Sequence, residues 1–257
     1  MISRRDILIY LAVKYEGDWN SIYKAITSKE SFEYEDILTA KASIKSKYTT
    51  IFDEDYPEHL KNTFKPPFVI FYYGDISLIK SLYDVIAVVG SRKCLEENKQ
   101  AAYGIIFNLS NSMKIVSGLA YGIDYIAHKA CIDAGGKTIG VLASGIDYCY
   151  PKEHIDIYNE IKANHLLISE IPGNKAPKQD GFPFRNRIIS GLSWGVFVPE
   201  VRDRSGTLVT IGHSLSSGKD IMILPQQASN GTINNHLIKE GAILVETSED
   251  ILSEAKS

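Results

Sequence analysis

Three turns in this chain place glycine beside a hydroxyl group: Gly90-Ser91-Arg92, the run Ser117-Gly118-Leu119-Ala120-Tyr121-Gly122-Ile123-Asp124, and Arg204-Ser205-Gly206-Thr207. Glycine lets a ligand approach the backbone closely, and serine or threonine adds a donor. Where such a turn opens a helix, the free N–H groups and the helix dipole favour an anion. One such turn is an ordinary helix cap. Three on adjacent units predict a row of anion sites, fit for an extended polyanion or a phosphorylated nucleotide.

Cations gather near the same turns. Arg92 lies in the first, Lys152 follows Tyr150-Pro151, Arg185 and Arg187 flank Asn186, and Arg202 and Arg204 precede Ser205. Tyr148, Tyr150, Phe182 and Phe184 fall in neighbouring segments. Aromatic rings among cations suit the stacking and backbone neutralisation used on single-stranded nucleic acid. An isolated basic side chain is usually a solvated charge and an isolated ring usually core, so the cluster carries the expectation.

Other chemistries lack their residues. The first of these turns reads GSRKCL and not GxGxxG, and the next strand ends in Val116-Ser117 with no acid to hold a ribose. No Walker pattern, HExxH, GxSxG or Cys/His constellation occurs, which weakens dehydrogenase, P-loop and hydrolase readings. Asp124 and His128 share a helix face, but a buried structural hydrogen bond explains the pair better than a metal or an acid/base couple. Cys94, Cys131 and Cys149 form no CxxC pair, against a disulfide framework or zinc site. No catalytic residue, metal or cofactor is expected.

The elements that must position these turns follow from apolar patterning. The 257 residues are 44% hydrophobic and 23% charged, enough for a packed core, and the net charge of -3 excludes a broadly basic nucleic-acid binder. The N-terminus carries no signal peptide and the chain no apolar run of about 18 residues, so a soluble, cytoplasmic protein is expected. Residues 1–62 show helical spacing at Ile7, Leu8, Leu11, Ala12 and Tyr15 and at Ile22 and Ile26. They predict a small helical domain, SAM-like or helix-hairpin-helix-like, with an irregular lead-in at 53–67. From 63 to 257 apolar runs of strand length alternate with helical stretches: 68–73, 85–90, 115–116, 138–142, 166–170, 196–200, 221–225 and 242–246. This alternation predicts an α/β fold, an extended Rossmann-like, doubly wound and mostly parallel sheet. Ligands of such sheets bind beyond the carboxyl ends of the strands, where the three turns fall. At the end of the chain, Leu237, Ile238, Ile243 and Leu244 either pack inside their own domain or cover a partner.

The segments VVGSR (88–92), VSGLAYGIDYIAHKA (116–130), TIGVLASGIDYCYPKEH (138–154), ISEIPG (168–173), FPFRNRIISGLS (182–193) and SGTLVTIGHSLSSGKDI (205–221) resemble the DNA processing protein A (DprA/Smf) family. The resemblance spans about residues 65–250 in order. It implies a Rossmann-like domain that binds single-stranded DNA, delivers it to the RecA recombinase in transformation, forms a homodimer through its C-terminal region, and has no established enzymatic activity. Carried over by position, Ser91, Arg92, Lys152, Asn186 and Arg187 are the DNA-contacting candidates. Ser117, Gly118, Gly122, Ser205, Gly206 and Thr207 join them from the turns. Pro225-Gln226-Gln227 replaces the family's Pro-Gly, and no C-terminal winged-helix domain is expected. Two alternatives use the same edge: a Lonely Guy-like nucleotide phosphoribohydrolase, or a small-nucleotide sensor. The former carries PGGxGTxxE, whereas the stretch here is RSGTLVT, without the double glycine or the acid.

Overall fold

A computed structural model describes residues 2–255. Helices α1 (Arg4–Lys14), α2 (Trp19–Thr27) and α3 (Tyr34–Ser43) come first. Ser3 and Asp6 close a reciprocal capping box on α1, and Asp18 caps α2 by accepting from the Ser21 N–H. Strands β1 (Lys47–Thr50) and β2 (Val69–Gly74) lead into the alternating part: β3 (Val85–Val88), α4 (Glu96–Leu109), β4 (Lys114–Ser117), α5 (Ile123–Asp133) and β5 (Thr138–Val141). Then follow α6 (Ile155–Asn164), β6 (Leu166–Ser169), α7 (Gly181–Gly191), β7 (Gly195–Val198), α8 (Gly206–Ser216) and β8 (Asp220–Ile223). Helix α9 (Asn234–Lys239), β9 (Ile243–Leu244) and α10 (Ser248–Glu254) end the described chain.

The strands form one sheet in the order β1-β2-β6-β5-β4-β3-β7-β8-β9. From β6 through β9 all neighbours are parallel; β2 pairs antiparallel with β6 and β1 antiparallel with β2. Strands β3, β5, β6 and β7 are buried along their whole length, as parallel strands covered on both faces must be. Side chains alternate between the faces. Val85 and Ala87 pack with Ile188, Ile189 and Ile211 of α7 and α8, while Ile86 and Val88 pack with Ile105, Ile106 and Ala127 of α4 and α5. The fold is therefore α/β, doubly wound, with helices before it.

From β3 the chain winds outward through α4 to β4 on one side, and from β7 through α8 to β8 on the other. The order reverses between β3 and β7, and the turns that leave these strands diverge there. A crevice at the carboxyl edge follows from that divergence.

The N-terminal stretch contains one element that its helical spacing hides. β1, at 47–50, pairs with β2 over four residues, Lys47 opposite Tyr72 through Thr50 opposite Val69. Packing is also continuous across residue 62: Leu8, Leu11, Ile22 and Ile37 share a cluster with Val69, Phe71, Ile157 and Ile161.

Candidate nucleic-acid interface

The crevice is a cleft of about 780 Å³, lined from Val89 to Lys93 after β3, by Ala120 and Asp124 after β4, by Tyr148 and Tyr150 after β5, by α7 and the loop before it, and by Arg202 to Thr210 after β7. The turn after β3 is seated by its neighbours. Ser91 N–H donates to Glu200 O at 2.9 Å and the Ser91 carbonyl accepts from Ile123 N–H at 3.3 Å. A side chain on Gly90 would meet Ile123 Cγ1 at 2.6 Å, so the start of α5 can pack there only against glycine. Gly122, at φ +78°, closes on the Ser91 carbonyl from the other side.

Three hydroxyls of residues around the cleft, on both its walls, have no partner. Ser91 Oγ, Ser205 Oγ and Thr210 Oγ1 are buried and unbonded, and all three residues line the cleft. Ser205 stands at the N-cap of α8, yet its side chain makes no capping bond. The start of α8, without a side-chain cap, thus borders the cleft among residues that carry three spare hydroxyl donors, an arrangement suited to an anion. Thr207 and Thr210, three apart, present the same helix face.

At the mouth, the exposed Arg92 guanidinium lies 4.9 Å from the Phe182 ring centre, and the Phe182 ring lies 5.7 Å from that of Tyr150. Deeper in, Arg185 and Asp124 are both buried and flank Gly118, where any side chain would strike both. Arg185 donates through Nη1 to the Val141 carbonyl and through Nε to Asn186 Oδ1 at 3.1 Å. Burial pushes the Asp124 carboxyl up to about 6, against the opposing pull of Arg185, and lowers Arg185 to about 10. Asn186 donates to the Gly206 carbonyl at 3.3 Å, tying α7 to the start of α8.

The structure separates the candidate residues. Ser91, Arg92, Asn186, Ser205, Gly206 and Thr207 line the cleft. Gly118 and Gly122 stand behind it as spacers. Ser117 does not reach it: its buried hydroxyl donates to the Val88 carbonyl at 2.7 Å, across to the neighbouring strand. Arg187 is also turned inward. Its side chain is 1% exposed and bonds Glu170 Oε1 at 2.7 Å, the Lys65 carbonyl at 3.0 Å and the Phe184 carbonyl at 3.1 Å, so it holds three segments together. Lys152 is exposed but stands outside the lining, just past the cis Tyr150–Pro151 peptide. Arg202 lines the cleft with its charge engaged by buried Glu200 at 3.1 Å, and Arg204 pairs with Asp203.

His128 makes a structural contact. Nε2 bonds the Gly118 carbonyl and Nδ1 meets Thr138 Oγ1 at 2.7 Å, fixing the turn after β4 from behind. Gln226, in place of the family's glycine, is buried; its main-chain N–H donates to Asn235 Oδ1 at 2.9 Å, its carbonyl accepts from Asn235 Nδ2 at 2.6 Å, and its Nε2 donates to the Pro199 carbonyl at 3.2 Å. The loop residues Ala176, Pro177 and Gln179, together with Thr210, line the cleft without a signal in local sequence. At the far end Leu237 and Ile238 are half-buried against the sheet, Ile243 packs toward α4 and α10, and Leu244 is exposed. Among the described residues no group of three or more His, Cys, Asp or Glu is placed to hold a metal, and no helix is long and apolar enough to cross a membrane.

The chain is similar to known proteins. A model of the family described as DNA recombination-mediator protein A matches residues 47–256. DNA processing protein DprA of Streptococcus pneumoniae is 38% identical over 232 residues, which cover 90% of this chain and 82% of that protein. The X-ray structure of DNA processing protein A from the same organism superposes with a TM-score of 0.85 at 31% identity, covering 99% of each chain. That of DNA processing protein A from Helicobacter pylori gives 0.73 at 25% identity, covering 82% of this chain and 96% of its own, and is described as binding single-stranded DNA in a unique mode.

Proposed function

Because the chain belongs to the DNA recombination-mediator protein A family, the DprA and Smf proteins, we propose that it binds single-stranded DNA in the cleft at the carboxyl edge of its sheet. The observation that carries this reading is the set of unpartnered hydroxyls on Ser91, Ser205 and Thr210 beside the free end of α8. A phosphate seated there gives each hydroxyl the acceptor it lacks. Arg92 stands at the mouth to clamp the next phosphate, and its ring partner Phe182, with Tyr148 and Tyr150, offers apolar faces to unstacked bases. Backbone neutralisation and stacking read no base edges, so the strand is held in any sequence.

The protein so engaged protects incoming single strands and hands them to the RecA recombinase as a cytoplasmic homodimer. It acts by binding and carries out no bond-breaking chemistry. Isothermal calorimetry against oligothymidylate and against nucleoside monophosphates tests the reading. Micromolar or tighter binding of the oligonucleotide with weak monophosphate binding is expected. Tight monophosphate binding alone would establish the small-nucleotide sensor instead. Release of free base from a nucleotide, abolished by Asp124→Ala, would establish the enzyme.

A further inference from the structure

The cleft is one part of a longer ligand-facing edge. β2 runs antiparallel to β6 with Phe71 opposite Ser169, so the residues before Val69 emerge beyond the last residue of β6, at the carboxyl ends of the parallel strands. Phe64 and Lys65 therefore sit on the cleft's side of the sheet, and α2 meets them there: Trp19 Nε1 donates to the Pro66 carbonyl at 2.9 Å.

These residues form an aromatic and cationic surface. Tyr23, Trp19 and Phe68 make a three-ring stack, with centroids 5.0 and 5.2 Å apart and planes within 11° and 20°. Its outer ring, Tyr23, is 51% exposed, which leaves one π-face open to solvent. Phe64 is 62% exposed and lies nearly parallel to His213. Between them the Lys65 ammonium lies 5.1 Å from Trp19, 5.5 Å from Phe64 and 6.0 Å from Phe184. Its bond is to the neutral Asn20 Oδ1, and among the described residues no carboxylate pairs with it. Phe184 joins this surface to the cleft, since Phe182 in the same turn of α7 lines the cleft under Arg92.

We propose that Tyr23, Trp19, Phe64 and Lys65 form a second stacking platform, on which bases of a single strand lie after it leaves the cleft around the first turn of α7. The inference rests on the single-strand reading of the cleft. Open ring faces around an unneutralised ammonium match unstacked bases on a phosphate backbone. An apolar protein partner would call for a patch without that cationic centre.

Fluorescence anisotropy on the full chain tests it, with labelled oligothymidylates of about six and about twenty-four nucleotides, lengths that bracket typical single-strand sites. The two exposed rings are replaced together, Tyr23→Ala with Phe64→Ala, and the charge separately by Lys65→Gln. The double variant is expected to bind the short strand like the parent and the long strand about tenfold more weakly. Lys65→Gln is expected to lower the slope of log K against log salt by about 0.7, for the long strand only. If the parent binds neither strand, the cleft reading itself falls. If the parent binds both and the double variant equals it on the long strand, the platform is overturned and the surface belongs to another partner. Equal loss on both lengths would also overturn it.

Discussion

Arg92 and Arg187 have the same side chain in opposite surroundings, one exposed and one buried. Arg187 is held by Glu170 and two carbonyls in the interior. Removing one partner of a buried pair leaves an uncompensated charge, so Arg187→Ala should cost about 3–5 kcal/mol of stability, read as a lower denaturation midpoint in urea. Arg187→Lys should recover only part, because an ammonium cannot reproduce the fork. Arg92→Ala should leave stability within about 0.5 kcal/mol, weaken binding to all single strands alike, and lower the salt slope by about 0.7. Adding Lys152→Ala should about double that fall; an unchanged slope in the double variant would place the strand elsewhere. The unpartnered hydroxyls give a sharper test. Ser91→Ala or Thr210→Val deletes a buried group that makes no bond. Each should keep or raise stability by up to about 1 kcal/mol while weakening single-strand binding. A variant less stable and equally active would show that these hydroxyls serve the fold.

Helix α5 carries two buried groups whose titrations oppose each other. Burial holds Asp124 up at about 6, so between its ordinary value of 3.8 and 6 the native state keeps a proton that the unfolded chain has released. Stability from this group falls as pH rises through that window. Burial holds His128 down at about 4 against an ordinary 6.5, so here the unfolded chain binds the extra proton and stability rises with pH. Each effect is roughly 3 kcal/mol. Asp124→Asn should therefore steepen the loss of stability between pH 6.5 and 4, and His128→Gln should flatten it. Urea unfolding across that range, with curves parallel to the parent's, would contradict the assignment. How far such details were legible follows from where their causes lie. β3, β5, β6 and β7 were readable because each is a continuous apolar run, and the three glycine turns because the hydroxyls sit beside them in sequence. β1, KYTT, has no such run; its strand character comes from pairing with β2, some twenty residues on. The inward turn of Ser117 is not legible in the sequence, because its acceptor is the carbonyl of a neighbouring strand, at Val88. The inward turn of Arg187 is equally hidden, because its partner, Glu170, lies seventeen residues back. The loop at 176–179 enters the cleft only because α7 folds over the sheet.

The whole sheet ends in a two-residue strand, β9, whose Leu244 is 46% exposed. An open edge beside half-buried Leu237 and Ile238 supports the proposed homodimer at this end. Multi-angle light scattering at micromolar concentration should give the mass of two chains, and Leu244→Lys should shift it toward one without lowering the melting temperature; a monomeric parent would remove the proposal. The middle of the sheet has a different consequence, set by time. β3 is flanked by β4 and β7, and its register joins Ile86 to Gly195, 195 − 86 = 109 residues later. At about 5–20 residues per second of synthesis, the ribosome delivers the second wall of the cleft roughly 5–20 s after the first. A chain still being made carries the glycine turn after β3 and Arg92 before the residues that face them have been added. On the single-strand reading proposed above, a chain that ends before β7 is expected not to bind single strands, and binding is expected only once β7 pairs with β3.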